Sequence, residues 1–544
     1  TKGSELQQYI PVSRYSWTNT ATYNKTIGDH SFGATVGLEY QKSSSRYFYA
    51  SGSQLSSTFF SGENIISNSL TQSTFDIGGG VSENAYKSYF ARANYAYKDR
   101  YLVSGTYRID AISSLPLGNQ SAKLPGVSIG WRISQEDFMK GNLKFINDLK
   151  IRGGYAKTGN TDIGNYPFAG TFGAATYGVQ SGLAYTQVGN SSLKFETSGK
   201  YDVGIDATMF DSRITLTADY FKNNIDNLIL AAPTAPSLGV PGNSINQNVG
   251  KMYNKGYEFA VSADIFRDSP FKWNTSFNIT FVKNKITQLS NNNSDITYTY
   301  NVNRVGESIG SLYGYEYAGV NPANGNPLYV KSTGQIIQGN IANQTYYVYD
   351  AANPTALTTA TTLAASDKKI LGQSNPTYYG GLVNTFRYKG FDLNINMVFS
   401  GGNKVMNITR QESLLNQKFL NNGTEILERW TTPGQVTNVP KVYYGRDAFT
   451  NLTSSTSSRF VEDGKFIRAQ DLVLGYTFPK LFTDKIKLSR LRLYAQVQNA
   501  FVITPYSGLD PELNYSTSTN SQAGLDYNTN PKARTFLIGL NVGF

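Results

Sequence analysis

The chain of 544 residues contains no cysteine and a single histidine, and no stretch of it is long and apolar enough to form a membrane helix. Without thiols there is no disulfide scaffold, no thiolate zinc or iron-sulfur site and no cysteine nucleophile. His30 sits in a short polar stretch without partner residues, so it reads as an exposed turn residue, and neither a metal nor a cofactor is expected. A helical membrane protein would need about 18 to 20 consecutive apolar residues, which are absent here. Charged residues are only 16% of the chain, too few for an ordinary soluble surface, whereas aromatics at 13% are too many for a disordered chain. Lys and Arg outnumber Asp and Glu by 49 to 38, but no run of five or six like charges occurs. The excess reads as solvated surface charge, and nucleic acid is not an expected partner. Thr1-Lys2-Gly3-Ser4-Glu5 is polar and lacks the apolar core of an export signal, as expected for a mature or an incomplete chain.

What the sequence has in abundance is alternation. On Phe271–Phe281 one face carries Phe271, Trp273, Phe277, Ile279 and Phe281, and the other carries Lys272, Asn274, Ser276, Asn278 and Thr280. Phe391, Leu393, Ile395, Met397 and Phe399 likewise oppose Asp392, Asn394 and Asn396. Fifteen such segments are expected, near 15–27, 31–41, 87–97, 101–110, 124–134, 148–156, 200–210, 213–223, 255–265, 271–283, 379–389, 391–399, 468–478, 490–499 and 533–544. Most run nine to thirteen residues, longer than the roughly five or six of soluble strands and close to the nine to eleven of a tilted membrane strand.

The connections alternate between short and long. Gly28-Asp29-His30, Lys98-Asp99-Arg100, Asp211-Ser212, the Phe266–Pro270 turn and Gly390 are tight, and the links 135–147 and 479–489 are wider. Between them lie polar stretches at 42–86, 157–199, 224–254, 284–378, 400–467 and 500–532, with a shorter one at 111–123. Short links on one side and long ones on the other are the pattern of an outer-membrane barrel, with periplasmic turns and extracellular loops. A soluble β-sandwich or solenoid also alternates, but its strands and loops should both be shorter. The expected fold is therefore all-β, a transmembrane antiparallel β-barrel. The Ala/Thr-rich stretch Ala351–Ser366 reads as a mobile loop.

The last strand carries Phe536, Ile538, Leu540, Val542 and Phe544 on one face. A final strand ending in Phe resembles the signal by which outer-membrane barrels are handed to their insertion machinery; an ordinary terminal edge strand is the plain alternative. Counting back from a periplasmic Phe544 places Thr1 in an extracellular loop and leaves an odd strand number. An open sheet in hydrocarbon strands two rows of backbone groups at several kcal/mol each, so further strands must be supplied by other polypeptide.

Several stretches spread along the chain carry a family likeness. They include Leu149–Asn160 (LKIRGGYAKTGN), Val249–Glu258 (VGKMYNKGYE), Gly319-Val320-Asn321-Pro322 with Asn324–Tyr329, Asn384–Leu393 (NTFRYKGFDL), Asp463–Arg468 with Leu474-Gly475-Tyr476, and Ala533-Arg534-Thr535. In this order the chain resembles the C-terminal half to two-thirds of a SusC/RagA-like TonB-dependent transporter. The resemblance implies a barrel of about 22 strands, of which residues 1–544 would hold fifteen, with a plug domain, a TonB-contacting segment and about seven strands lying outside. Arg108-Ile109-Asp110-Ala111-Ile112-Ser113-Ser114 departs from the family's usual Arg-x-Asp-Gly-Ser-Ser.

The resemblance further implies an active importer of bulky nutrients, oligosaccharides or peptides, in the outer membrane of a Gram-negative bacterium. Its implied partners are a SusD-like lipoprotein lid, TonB, the barrel-insertion machinery, and lipid with lipopolysaccharide. A structural or secretion-associated barrel used as a docking platform, or a soluble carbohydrate-binding β protein, are the other readings. Tyr220, Phe221, Tyr257, Phe281, Tyr388, Phe391 and Tyr476 are expected to form aromatic girdles, and Tyr313, Tyr315 and Tyr317 to pack within a loop rather than hold a ligand. Glu136-Asp137, Asp219, Glu258, Asp264 and Asp392 form no acid-base pair, and Gly78-Gly79-Gly80 lacks the Lys-Ser/Thr of a phosphate loop, so no enzymatic activity is expected.

Overall fold

The computed structural model describes residues 4–53, 75–139, 144–516 and 519–544. Among the described residues, sixteen strands belong to one sheet. They are β1 (Ser4–Tyr9), β2 (Val12–Ile27), β3 (His30–Ser53), β4 (Asp76–Tyr97), β5 (Tyr101–Ile112), β6 (Ser121–Arg132), β7 (Ile146–Gly159) and β8 (Thr197–Met209). The rest are β9 (Ile214–Pro233), β10 (Ser244–Phe266), β11 (Phe271–Gln288), β12 (Tyr378–Tyr388), β13 (Phe391–Gly401), β14 (Phe466–Thr477), β15 (Arg490–Ile503) and β16 (Thr535–Gly543). β1 and β2 lie end to end along β3, parted at Pro11, which has no N–H to give, so the sixteen occupy the fifteen expected rows.

The chain divides into two compact units. In the first (1–131, 152–201 and 225–250), β2 to β6 pair antiparallel in sequence order. Its buried cluster, Ile112, Leu115, Ala122, Leu124, Leu193 and Phe195, gathers where β5 and β6 meet the loop before β8. In the second (132–151, 202–224 and 251–544), β10 to β16 form the ladder. Among the described residues β2 pairs only with β3, and β16 only with β15.

The apolar strand faces are not the core. Tyr89, Val127, Ile129, Tyr257, Phe391, Leu474 and Leu540 are exposed, an arrangement no protein surrounded by water tolerates over so many strands. The turns follow the expected chemistry. Lys389 (φ 47°) and Gly390 (φ 89°) both adopt positive φ, the requirement of a two-residue type I′ hairpin.

Two expectations are corrected. Several strands are much longer than the apolar pattern, with β3 running 24 residues, β10 23 and β4 22. Much of the expected loop 42–86 is therefore ladder, Ser43, Ser44 and Ser45 facing Asn84, Glu83 and Ser82, while 54–74 lie outside the described residues. Backbone pairing needs no apolar face, so a strand leaving the greasy zone carries no hydrophobic signal. Gly78, Gly79 and Gly80, expected in a surface stretch, are strand residues opposite Tyr49, Phe48 and Tyr47.

The second correction concerns the long loops of the second unit, which are folded structure. Ser311–Val320 pairs antiparallel with Lys369–Gly372 and parallel with Thr456–Ser457; Lys404–Asn407 pairs antiparallel with Val461–Asp463 and parallel with Leu525–Asp526. Leu312, Met406, Ile408, Leu415, Phe460 and Leu525, drawn from all three loops, close a buried core. Ala351–Ser366, expected to be mobile, is tied down: Asn321 Nδ2 donates to the Pro354 carbonyl (2.6 Å) and Gln338 Nε2 to that of Ala356 (2.9 Å).

Candidate functional site

The polar face of β11 to β14 builds one wall of a cavity of about 720 Å³ in the second unit. Register sets its floor: Asn278, Gly381, Val398 and Arg468 stand in one row across four strands, and Thr280, Tyr379, Ser400 and Phe466 in the next. The folded loops supply the opposite wall through Ser374, Asn375, Asn403, Glu512, Asn514 and Lys532.

The charges in this cavity are closed among themselves. Arg468, 3% exposed, donates from Nη2 to Asp510 (2.6 Å) and from Nε to Glu512 (2.6 Å), and Lys532 Nζ reaches the same Glu512 (2.9 Å). A buried guanidinium is tolerated only when paired in this way, and here the pairing also fixes the loop 504–534 to β14. Uncharged hydrogen-bonding groups remain. Asn403 is 8% exposed, and its Oδ1, closed to solvent, accepts no hydrogen bond among the described residues. Tyr379 is half exposed on the same wall.

A second polar cavity, of about 620 Å³, lies in the first unit and includes Arg14, Asn84, Tyr86, Arg108, Asp110 and Asp162. Arg108 Nη2 donates to Tyr86 and Ser88 (2.8 Å each), Nε to Asp110 (3.3 Å), and Ser88 donates to Asp110 (2.5 Å). The departure from the family motif after Asp110 leaves this network in place, and Ser113 Oγ accepts from the Ala85 N–H (2.9 Å). Its partners are all internal, so it reads as a structural brace.

The other sequence-singled residues fall as follows. Phe536, Ile538, Leu540 and Val542 pair with Val497, Ala495, Leu493 and Leu491, and their face, with Phe544, is exposed. Tyr220 lies beside Tyr257 (ring centroids 5.4 Å apart) and Phe391 beside Tyr476 (4.5 Å), both pairs tilted. Phe221 does not join them: its ring lies where a Cβ on Gly256 would be, on the polar face. Tyr313, Tyr315 and Tyr317 pack under Arg304, Lys368 and Arg459, and burial pushes the Tyr317 hydroxyl up to about 12. Asp392 pairs with Arg492, Asp264 accepts from Asn274 (2.8 Å), and His30 Nδ1 meets the Tyr95 hydroxyl (2.9 Å). Among the described residues no three His, Asp or Glu side chains converge on a metal geometry. Sequence reasoning did not single out Tyr379, Asn403, Asp510 or Glu512, because nothing local distinguishes one Asn or Tyr of a polar loop or strand end from another.

Comparison with known proteins gives a consistent result. The profile described as "TonB dependent receptor-like, beta-barrel" matches residues 2–397. TonB-dependent receptor P3 of Formosa agariphila is 31% identical over 97% of this chain and 52% of its own length. TonB-dependent receptor SusC of Bacteroides thetaiotaomicron is 27% identical over 96% of this chain and 49% of its own. The chain thus spans about half the length of these curated relatives. Among solved structures, "Structure of the RagAB peptide transporter" superposes with a TM-score of 0.83 at 23% identity, covering 100% of this chain and 57% of the other, which shows a shared fold.

Proposed function

This chain belongs to the TonB-dependent receptor-like β-barrel family, whose members reside in the outer membrane, and on that premise we propose that it forms most of the wall and mouth of an active importer of bulky nutrients. The single observation that supports this most is the cavity between the polar strand face and the folded loops, where Arg468 pairs with Asp510 and Glu512. A barrel wall has no energy source of its own. Import on this reading draws on a plug and a TonB-contacting segment in polypeptide outside this sequence, which also contributes about seven strands to a closed barrel of about 22.

A SusD-like lipoprotein is the proposed lid. Phe419, 93% exposed, lies against Tyr444 (ring centroids 4.8 Å apart) on the loop surface, and an exposed aromatic pair of this kind suits a partner. The apolar face of β16, ending at Phe544, is proposed as the signal read by the insertion machinery. The transported class is oligosaccharide or peptide. The test is uptake by cells carrying the full-length parent, with and without TonB. Uptake that stops without TonB supports the reading, and uptake that continues overturns it. In that second case the loop cluster at Phe419 and Tyr444 favours the alternative role of a docking platform for surface proteins.

A further inference from the structure

We propose that four lysines on the lipid-facing side of the second unit, Lys222, Lys255, Lys283 and Lys285, hold the phosphate of a lipid A headgroup in the outer leaflet of the membrane. The proposal stands on the outer-membrane location of the chain and not on the importer reading. Three observations carry it.

The first is the face on which the lysines stand. Between β10 and β11 the register sets Tyr257 opposite Phe281, Lys255 opposite Lys283 and Tyr253 opposite Lys285. Positions two apart share a face, so all six belong with the exposed Phe259 and Phe277 on the apolar side. On β9 the Phe221 ring lies against Gly256 on the polar side, which turns its neighbours Tyr220 and Lys222 outward. Lys222 Nζ and Lys255 Nζ each stand 5.7 Å from the centre of the Tyr253 ring. The lysines therefore gather around one tyrosine, on the side that touches lipid.

The second is their height on the wall. Aromatic rings bracket the apolar band: Phe271 and Trp273 each lie 6.0 Å from Phe266 at the tight-turn end, and Tyr220 lies 5.4 Å from Tyr257 at the other. From Trp273 to Phe281 β11 climbs roughly 26 Å at about 3.3 Å per residue, which is about 20 Å along the membrane normal at a tilt of about 40°. Lys283 is the next outward position, at the level of the lipid headgroups. This end is the one from which the long connections leave, the extracellular end in such barrels. The lipid of that leaflet is lipopolysaccharide, whose lipid A carries its phosphate at headgroup depth.

The third is the uncompensated charge. Among the described residues none of the four lysines forms an ion pair or a hydrogen bond, and Lys222 and Lys255 have only the face of Tyr253. Lys255 and Lys283 oppose each other directly across the ladder, where like charges destabilise a sheet. Lys42 of the first unit shows the alternative, neutralised by Glu83 at 3.3 Å. A lone lysine at a membrane boundary snorkels to water. Two set face to face, with two more beside them, are stabilised by an anion whose several oxygens accept from more than one ammonium group at once, and a phosphate does this.

The test uses the full-length protein purified in mild detergent and stripped of bound lipid. Purified lipid A is added and its binding is read by native mass spectrometry, with dephosphorylated lipid A, phosphatidylglycerol and inorganic phosphate as the competing ligands. Lipid A should bind saturably. A lysine beside an anionic headgroup is worth a factor of about five, so Lys255→Gln combined with Lys283→Gln should weaken binding at least about tenfold. Lys255→Arg combined with Lys283→Arg should retain it, and Lys389→Gln, in the tight turn at the opposite end of the wall, should change nothing. Each variant's fold is checked by its heat-modifiable migration on gels. If the glutamine pair does not fold, the arginine pair and the comparison of lipid A with its dephosphorylated form on the wild-type protein carry the test. Equal binding of dephosphorylated lipid A, binding indifferent to the glutamine pair, an equal loss in Lys389→Gln, or displacement by phosphatidylglycerol or inorganic phosphate as effective as by lipid A itself would each overturn the proposal.

Discussion

Arg492 reaches across Gly475 to clasp Asp392 on the next strand but one. Its Nε lies 3.0 Å from Asp392 Oδ1 and its Nη2 2.5 Å from Oδ2, and a Cβ on Gly475 would stand 2.3 Å from the guanidinium. Asp392 comes from a polar-face position that the alternation already marked, but the glycine between the partners is what lets the two ends of the pair meet over the ladder of β14.

Replacing Asp392 by Asn should therefore destabilise the sheet by about 1.5–3 kcal/mol, the usual worth of a charge-assisted hydrogen-bonded pair. Gly475→Ala should cost a similar amount while leaving both charges intact, because the new methyl takes the guanidinium's place. The temperature at which the detergent-solubilised protein loses its heat-modifiable band measures both. An unchanged transition in Gly475→Ala would mean that the crossing contributes nothing to stability.

Loop anchoring makes a separable prediction. Asp510→Asn leaves Arg468 buried with only Glu512, and losing one partner of a buried pair costs about 3–5 kcal/mol. The loss should be local. Hydrogen exchange should rise at residues 504–516 while the amides of β14 and β15 stay protected; uniform protection across both would refute the anchoring role.

The loop fold should also sense acid. Burial by itself would raise the Glu425 carboxyl, but the Arg410 guanidinium bonds both its oxygens (2.7 Å each), with Arg459 nearby, and holds it below its ordinary value of 4.5. A carboxyl whose folded-state value is depressed contributes stability that is present above the unfolded value and lost as pH falls through the folded one. Below about pH 4.5 the clamp should weaken progressively. Trp430, buried two residues beyond the short helix Thr424–Glu428 and donating to the Pro322 carbonyl (2.9 Å), is the reporter. Its emission should shift on acidification, and Glu425→Gln should show the shifted emission already at neutral pH. Emission flat from pH 7 to pH 3 would contradict the linkage.

At the C-terminus, Phe544→Ala should lower the amount of protein reaching the outer membrane several-fold while leaving the melting temperature of what does arrive unchanged. Phe544 is almost fully exposed just beyond the end of β16 and packs nothing that its removal would disturb. Fractionation of cells expressing the full-length parent gives the measurement. A wild-type membrane level would reduce this strand to an ordinary wall strand.

The part of this molecule that was readable in advance is the part governed by local chemistry. Phe271 through Phe281 alternates because one side meets hydrocarbon and the other does not, and that demand acts residue by residue, so the strands could be read off. The turn at Lys389-Gly390 was legible for the same reason. Phe221 was misassigned although alternation puts it one position out of phase with Tyr220, on the opposite face, where its ring lies against Gly256.

The amino-acid order alone thus determined the all-β class, the fifteen rows, the tight turns and the two-sided character of the strands, since each follows from a period of two and from a few residues at a bend. Tertiary structure decided the rest. Thr456 beside Gly314 and Met406 beside Leu525 are parallel pairings between residues more than a hundred positions apart, joined in polar loops with no periodic signal. The cavity, its self-neutralised charges and the orphan oxygen of Asn403 exist only once those distant segments meet, because a contact that is paid for by closing a long loop leaves no trace in the residues next to it.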